Sequence, residues 1–168
     1  VKLLVVTGSM GSGKTTVMAE ASDLLKARGI AHAAIDLDAL GIAHVPPGSA
    51  SALEYHNLEA VARNCAAAGA ARLLLAAAVE DRAMLDRIRA AVRADAVTVC
   101  RLRVPLDTMQ RRVGVREPGM LQRELLARVP DLEARLDRGA CEDFALDNGD
   151  GISVTDVATD MLARAGWL

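Results

Sequence analysis

The sequence predicts an α/β protein built on a five-stranded parallel sheet covered by helices on both faces. Two observations carry that expectation. Strand-like and helix-like stretches alternate almost from end to end, the pattern of strands joined by crossover helices. The first of them, "KLLVVT", is a nearly continuous apolar run that closes on a glycine, as a strand buried on both faces requires.

Each further element has its own signal. Residues 14–28 carry Val17, Met18, Ala21, Leu24 and Leu25 at helical spacing, and Gly29 supplies the stop. "HAAIDLD" is the second strand, closed by two acids; if it stays extended, Asp36 and Asp38 point to the same side. "VPPGSAS" is a turn-rich loop, and the helical stretch "ALEYHNLEAVARNCAAAG" follows it. "RLLLAAAV" is the third strand and "RAMLDRIRAAVR" its helix. "AVTVCRLRV" is the fourth strand, stopped by Pro105, and "LDTMQRRVGVRE" is helical with a weak point at Gly114. Residues 120–138 carry Leu121, Leu125, Val129, Leu132 and Leu136 on one helical face, which Pro130 is expected to split or kink. "DFALDN" is the fifth strand. Ser153 and Asp156 form a capping pair for a last helix that turns Val154, Val157, Met161 and Leu162 inward.

Length and composition narrow the class. A chain of 168 residues is expected to form one domain over 1–168 with a core large enough to need no disulfide. Its three cysteines show no short spacing, which fits a reducing, cytoplasmic setting. No apolar run approaches the length of a membrane span. The net charge of −2 and the single Phe, Tyr and Trp argue against a nucleic-acid surface, which needs basic charge and stacking rings. The three histidines are too scattered for a metal site.

"GSMGSGKT" satisfies the P-loop pattern at every fixed position, between a strand and a helix. The stretch runs from Gly8 through Ser9, Met10, Gly11, Ser12 and Gly13 to Lys14, Thr15 and Thr16. Glycines let the backbone fold around an anion so that successive N–H groups face it, and the helix N-terminus adds partial positive charge. Lys14 is placed to reach the β- and γ-phosphates, and the Thr15 hydroxyl to ligate Mg2+. ATP and Mg2+ are therefore the expected cofactors.

Asp36 and Asp38 stand at the carboxyl end of the second strand, where open α/β sheets bind ligands. A carboxylate there accepts the proton of an attacking hydroxyl or organises magnesium. Glu80 and Asp81 after the third strand serve either magnesium-bound water or the cap of the next helix. Asp81 is kept as a candidate metal-organising acid. Arg112 and Arg116, four residues apart, share one helical face beside Arg111 and either stabilise a transferring phosphoryl group or form a surface ion-pair face. The helical excursion over 106–140, rich in arginine, is where a mobile lid would sit. His56, Tyr55 and Asn57 border an acceptor pocket or simply pack.

With those residues in view, the chain resembles the small P-loop kinases, especially the adenylylsulfate-kinase-like group, and is similar to shikimate and gluconate kinases. The likeness rests on "GSMGSGKTT", "RGIAHAAIDLD", "RLRVPLDTMQRRV" and "FALDNGDGISVTDVATDMLARAGW". It implies a three-layer P-loop NTPase fold with sheet order 2-3-1-4-5 and a helical lid. It implies Asp36 as base or magnesium-organising acid, Arg112 or Arg116 as lid arginines, and Asp147, Asn148 and Gly149 near the base of ATP. It implies γ-phosphoryl transfer to a hydroxyl or phosphate of a small molecule, and leaves the acceptor and the oligomeric state open. The alternatives are a nucleotide-binding regulator that transfers nothing and, less favoured, a GTP-dependent switch: "DALG" matches one short motif, but no Asn-Lys-x-Asp reads guanine.

Overall fold

In the computed structural model, which describes residues 1–46, 49–117 and 119–168, five parallel strands lie in the order β2-β3-β1-β4-β5. They are β1 (Lys2–Thr7), β2 (Ala33–Asp36), β3 (Arg72–Ala76), β4 (Ala96–Arg103) and β5 (Phe144–Asp147). The helices are α1 (Lys14–Ala27), α2 (Leu37–Leu40), α3 (Ala50–Ala67), α4 (Arg82–Val92), α5 (Leu106–Arg116), α6 (Gln122–Gly139) and α7 (Val154–Arg164). This is the three-layer architecture and strand order expected from the sequence. Among the described residues no helix is long and apolar enough to cross a membrane. Part of the "VPPGSAS" turn, residues 47 and 48, lies outside the described residues, as does residue 118 within the expected lid excursion.

The alternation of side chains along β1 divides the core in two. Leu4 and Val6 face α1 and α7, packing with Val17, Ala21, Leu25, Met161 and Leu162. Leu3 and Val5 face α3 and α4, packing with Leu58, Ala62, Leu85 and Ile88. All four β1 side chains are fully buried, and each contributes about 2 kcal/mol by leaving water. The strand that delivers the phosphate loop is thus among the parts least able to open. A third cluster joins Val104, Met109, Val113 and Val129, holding α5 and α6 together over Met10 of the loop.

Two local expectations are corrected. β2 ends at Asp36 instead of continuing through Asp38, because the Asp36 carboxylate accepts the Asp38 N–H at 3.1 Å and caps α2. A short acid that can bond its own backbone two residues on competes with the sheet ladder, and here it wins. Nor does Pro130 split its stretch: α6 runs through it. The helix is held on both sides of the proline, by the buried Val129, Leu132 and Leu136 and by ion pairs that the sequence did not advertise.

Those ion pairs centre on Arg101, an inward-facing β4 residue with only 1% of its side chain exposed. Its guanidinium donates to Glu133 at 2.6 Å and lies 2.8 Å from Asp137, one turn further along α6. Glu142 stands 3.6 Å away and also accepts from Arg103 at 3.1 Å. Three carboxylates share one buried cation, so the cost of burying it is offset only while they remain. Arg101→Ala is expected to lower unfolding stability by about 3 kcal/mol, since it removes the buried partner of the largely buried Glu133 and weakens the cluster around Glu142. Urea denaturation measures this, and a loss below about 1 kcal/mol would place the anchoring of α6 in its apolar contacts alone.

Candidate active site

The P-loop leaves β1 and wraps back into α1, and its shape depends on glycines at two points. Gly11 has φ +80° and Gly13 φ +91°, values that side-chain-bearing residues rarely adopt. A Cβ on Gly11 would stand 2.5 Å from the Met109 carbonyl oxygen of α5, and one on Gly13 2.5 Å from Nδ2 of Asn148. The loop is therefore clamped between α5 and the β5–α7 connection. Asn148, buried, donates to the Ser12 carbonyl at 2.7 Å. Gly8 is buried where β1 ends, with Ser12 and the Leu102 carbonyl closing around it. The Ser9 hydroxyl donates to the Val129 carbonyl of α6 at 3.3 Å, and the buried Ser12 Oγ has no hydrogen-bond partner among the described residues.

Where Asp81 and Ser153 cap α4 and α7 through their side chains, α1 has Gly13 as its N-cap and no side-chain bond. Its first N–H groups are left to whatever sits in the loop, the arrangement that binds anions. Lys14 Nζ donates to the Ser9 carbonyl at 3.2 Å, bent back over the same loop. Burial pushes the Lys14 pKa down and the Arg116 charge adds to this, while Asp38 and Asp36 pull it back up. The Thr15 hydroxyl donates to Asp36 Oδ2 at 2.6 Å, so the residue suited to ligate magnesium and the acid at the end of β2 are joined directly.

A cavity of about 350 Å³ lies over this constellation, lined by Met10, Gly11, Gly13, Lys14, Thr15, Thr16, Asp36, Asp38, Ala39, Ile42 and Arg116. Asp38, although it sits on α2, reaches the same space as Asp36. The glycine cradle, the uncapped helix and the Thr15–Asp36 pair fit a nucleotide triphosphate with its magnesium: a hydroxyl, one carboxylate and phosphate oxygens are a usual Mg2+ set.

The remaining candidates lie elsewhere. Arg112 donates to the Asn148 carbonyl at 3.0 Å and the Gly11 carbonyl at 3.4 Å, and pairs with Asp150 at 3.2 Å; Arg111 pairs with Asp150 too. Arg112 thus ties the P-loop to the β5–α7 connection, and Arg116, paired with Glu117, is the arginine on the cavity. Gly149 borders a second cavity of about 500 Å³ with Pro105 and Ile152. Asp81 accepts the Met84 N–H at 2.8 Å as the cap of α4 and is not among the cavity-lining residues. Glu80 pairs with Arg135 of α6 at 3.2 Å. Tyr55 lies under the Arg87 guanidinium, Asn57 donates to the Leu40 carbonyl, and His56 is exposed. Arg101, Asp150 and the clamping bond of Asn148 went unread in the sequence; the acids at 133 and 137, one turn apart, were the available hint for the first.

No protein-family model and no curated protein sequence matches the chain. Solved structures do. A gluconokinase from Sinorhizobium meliloti 1021 aligns at 18% identity over 98% of this chain and 91% of its own, with a TM-score of 0.62. The tunicamycin resistance protein of Deinococcus radiodurans aligns at 18% identity over 99% and 96%, with a TM-score of 0.68. The Mycobacterium tuberculosis APS kinase, solved with AMPPNP and APS, aligns at 20% identity over 96% and 95%, with a TM-score of 0.60. The chain has the fold of the small-molecule P-loop kinases.

A depressed lysine pKa means that the unfolded chain holds that proton more tightly than the folded one. The Lys14 ammonium therefore costs stability below its folded pKa, and the cost fades as pH rises from there toward 10.5. Lys14→Met is accordingly expected to melt no lower than the parent at neutral pH while losing nucleotide binding. A lower Tm in calorimetry would show that the ammonium stabilises the nucleotide-free loop.

Proposed function

We propose that this protein is a phosphotransferase that moves the γ-phosphoryl group of Mg-ATP onto a hydroxyl or phosphate of a small molecule. The observation that carries the reading is the 2.6 Å bond between Thr15 and Asp36, made in the same cavity as Lys14 and Arg116. The loop N–H groups from Gly11 to Thr15 and Lys14 Nζ would hold the β- and γ-phosphates, Lys14 leaving the Ser9 carbonyl to do so. Thr15 would ligate the magnesium, whose bound charge offsets the negative charge of the phosphates, and Asp36 would orient that shell.

For a hydroxyl acceptor, Asp36 or Asp38 takes the proton as the oxygen bonds to phosphorus, and the bond from phosphorus to the β-phosphate oxygen breaks to release ADP. Arg116, which lines the same cavity, would face the equatorial oxygens of the transferring group. Asn148 and Arg112 act on the loop's shape, and Gly149 with the β5–α7 connection borders the space left for the base.

One observation favours the regulatory alternative. Arg111 and Arg112 are both engaged by Asp150, leaving Arg116 as the cavity's one arginine among the described lining residues. Incubating the protein and Mg-ATP with pooled metabolites and antibiotics, and searching by mass spectrometry for species heavier by one phosphoryl group (~80 Da), separates the two. Transfer is expected, with Lys14→Ala abolishing it and leaving the fold intact. Asp36→Asn should bind ATP and transfer about a hundredfold more slowly or worse, the loss expected when a general base is removed. Unchanged transfer in Asp36→Asn would move the base role to Asp38.

A further inference from the structure

The P-loop cavity is a ligand site on grounds independent of its acids, namely the glycine cradle, Lys14 and the uncapped α1. The acids decide what stands beside the nucleotide. Resting on the phosphotransferase reading, we propose that the acceptor is an amine-bearing alcohol, a hydroxyl compound with a cationic nitrogen near the reacting oxygen, and not a carboxylate, sulfate or phosphate ester.

The argument is one of charge and place. The cavity's two cations, Lys14 and Arg116, both face phosphate oxygens once the nucleotide is bound. Beyond the loop, the first turn of α1 and Arg116, the lining is Asp36, Asp38, Ala39 and Ile42, with Glu54 packed behind α2. Gly41 has no side chain, and the Glu54 carbons lie 3.7 Å from where its Cβ would be, so Glu54 comes up against the end of α2. Asn57, one turn further on α3, fixes that approach by donating to the Leu40 carbonyl at 2.8 Å. Burial pushes the Glu54 carboxyl up, and the Asp38 charge pushes it further, so the two acids feel each other across this wall.

Arg87, Arg111, Arg112 and Arg135 have partners of their own. Arg87, which offsets part of the Glu54 charge, is stacked on Tyr55 with its guanidinium carbon 3.9 Å from the ring centre. Arg135 is held by Glu80 and Asp131, and Arg111 and Arg112 by Asp150. An anionic acceptor would meet the exposed Asp38 carboxylate on this wall, with Glu54 adding negative charge from behind it, whereas an ammonium group is attracted there. Ile42, 86% exposed and lining the same cavity, offers an apolar contact to the carbon skeleton between amine and hydroxyl. During transfer the amine keeps its proton; only the reacting hydroxyl loses one.

The test uses the whole chain loaded with Mg-AMPPNP and three probes of similar size: glucosamine, neutral N-acetylglucosamine, and gluconate. Amide shifts of Asp38, Ala39 and Ile42 are followed by NMR as each is added. Glucosamine is expected to move them at a concentration at least about tenfold below that needed for gluconate, the ratio that one to two half-exposed charge pairs produce. Glu54→Gln should narrow that ratio several-fold, as should raised salt; if that variant loses its amide dispersion, Asp38→Asn carries the same comparison. Gluconate acting at an equal or lower concentration, or a loaded protein that answers neither charged probe, overturns the proposal and leaves the phosphotransferase reading standing. Failure of AMPPNP itself to shift the amides of Gly11 to Thr15 overturns that reading, and this one with it.

Discussion

The contact on which the rest of the site depends is the one between the P-loop backbone and its neighbours. Within the loop the Ser12 N–H donates to the Ser9 carbonyl at 3.2 Å, and the rest of its conformation is imposed through its carbonyls and from outside. Asn148 does this by donating to the Ser12 carbonyl, and Arg112 by donating to the Gly11 carbonyl. Both bonds go to acceptors and engage none of the loop's N–H groups. Gly11 and Gly13 are then required twice over, by their positive φ and by the approach of Met109 and Asn148 to where a side chain would be. The loop is preorganised by partners that come from the end of the sheet and from α5.

The buried Arg101 cluster extends the same logic outward. α6 carries the Val129 carbonyl to which Ser9 donates, so the position of α6 is felt at the P-loop. What fixes α6 is partly apolar, through Val129, Leu132 and Leu136, and partly the ion pairs of Glu133 and Asp137 with Arg101. Apolar contacts alone permit a helix to slide; a guanidinium that must meet two acids one turn apart permits one register. The chain from β4 through α6 to Ser9 is therefore a positional specification, obtained at the cost of burying a charge.

The fold was legible because its signals are long-range regularities. Five apolar runs, each followed by a helical period, and one glycine-rich motif leave few alternatives, and the strand order follows from the family likeness. The P-loop motif was legible for the same reason, with Gly8, Gly13, Lys14 and Thr15 at its fixed spacing, and it does lie between β1 and α1. What failed to show was decided by side chains bonding locally or across the fold. "IDLD" reads as continuous strand by hydropathy, yet the Asp36 carboxylate takes the Asp38 N–H and starts a helix. Pro130 reads as a breaker, yet tertiary contacts outweigh one missing hydrogen bond. Arg101 gave no signal along the chain, because its partners lie 32 to 41 positions away.

The arginine excess has the same lesson for function. Read along the chain, arginines at 111, 112 and 116 suggest a lid dense in positive charge over a transferring phosphate. In the fold most of that charge is already matched: Asp150 takes two of the three, and Arg116 alone reaches the cavity. The positive charge that does reach the cavity is that of Lys14 and Arg116, among its described lining residues. The same lining carries carboxylates, with Asp36 joined to Thr15 and Asp38 near it. The cavity thus presents both signs of charge, which on the proposed reading would divide between nucleotide and acceptor. A base must sit on the acceptor side to take a proton, and an acceptor that carries its own positive charge suits that side without weakening the hold on the phosphates.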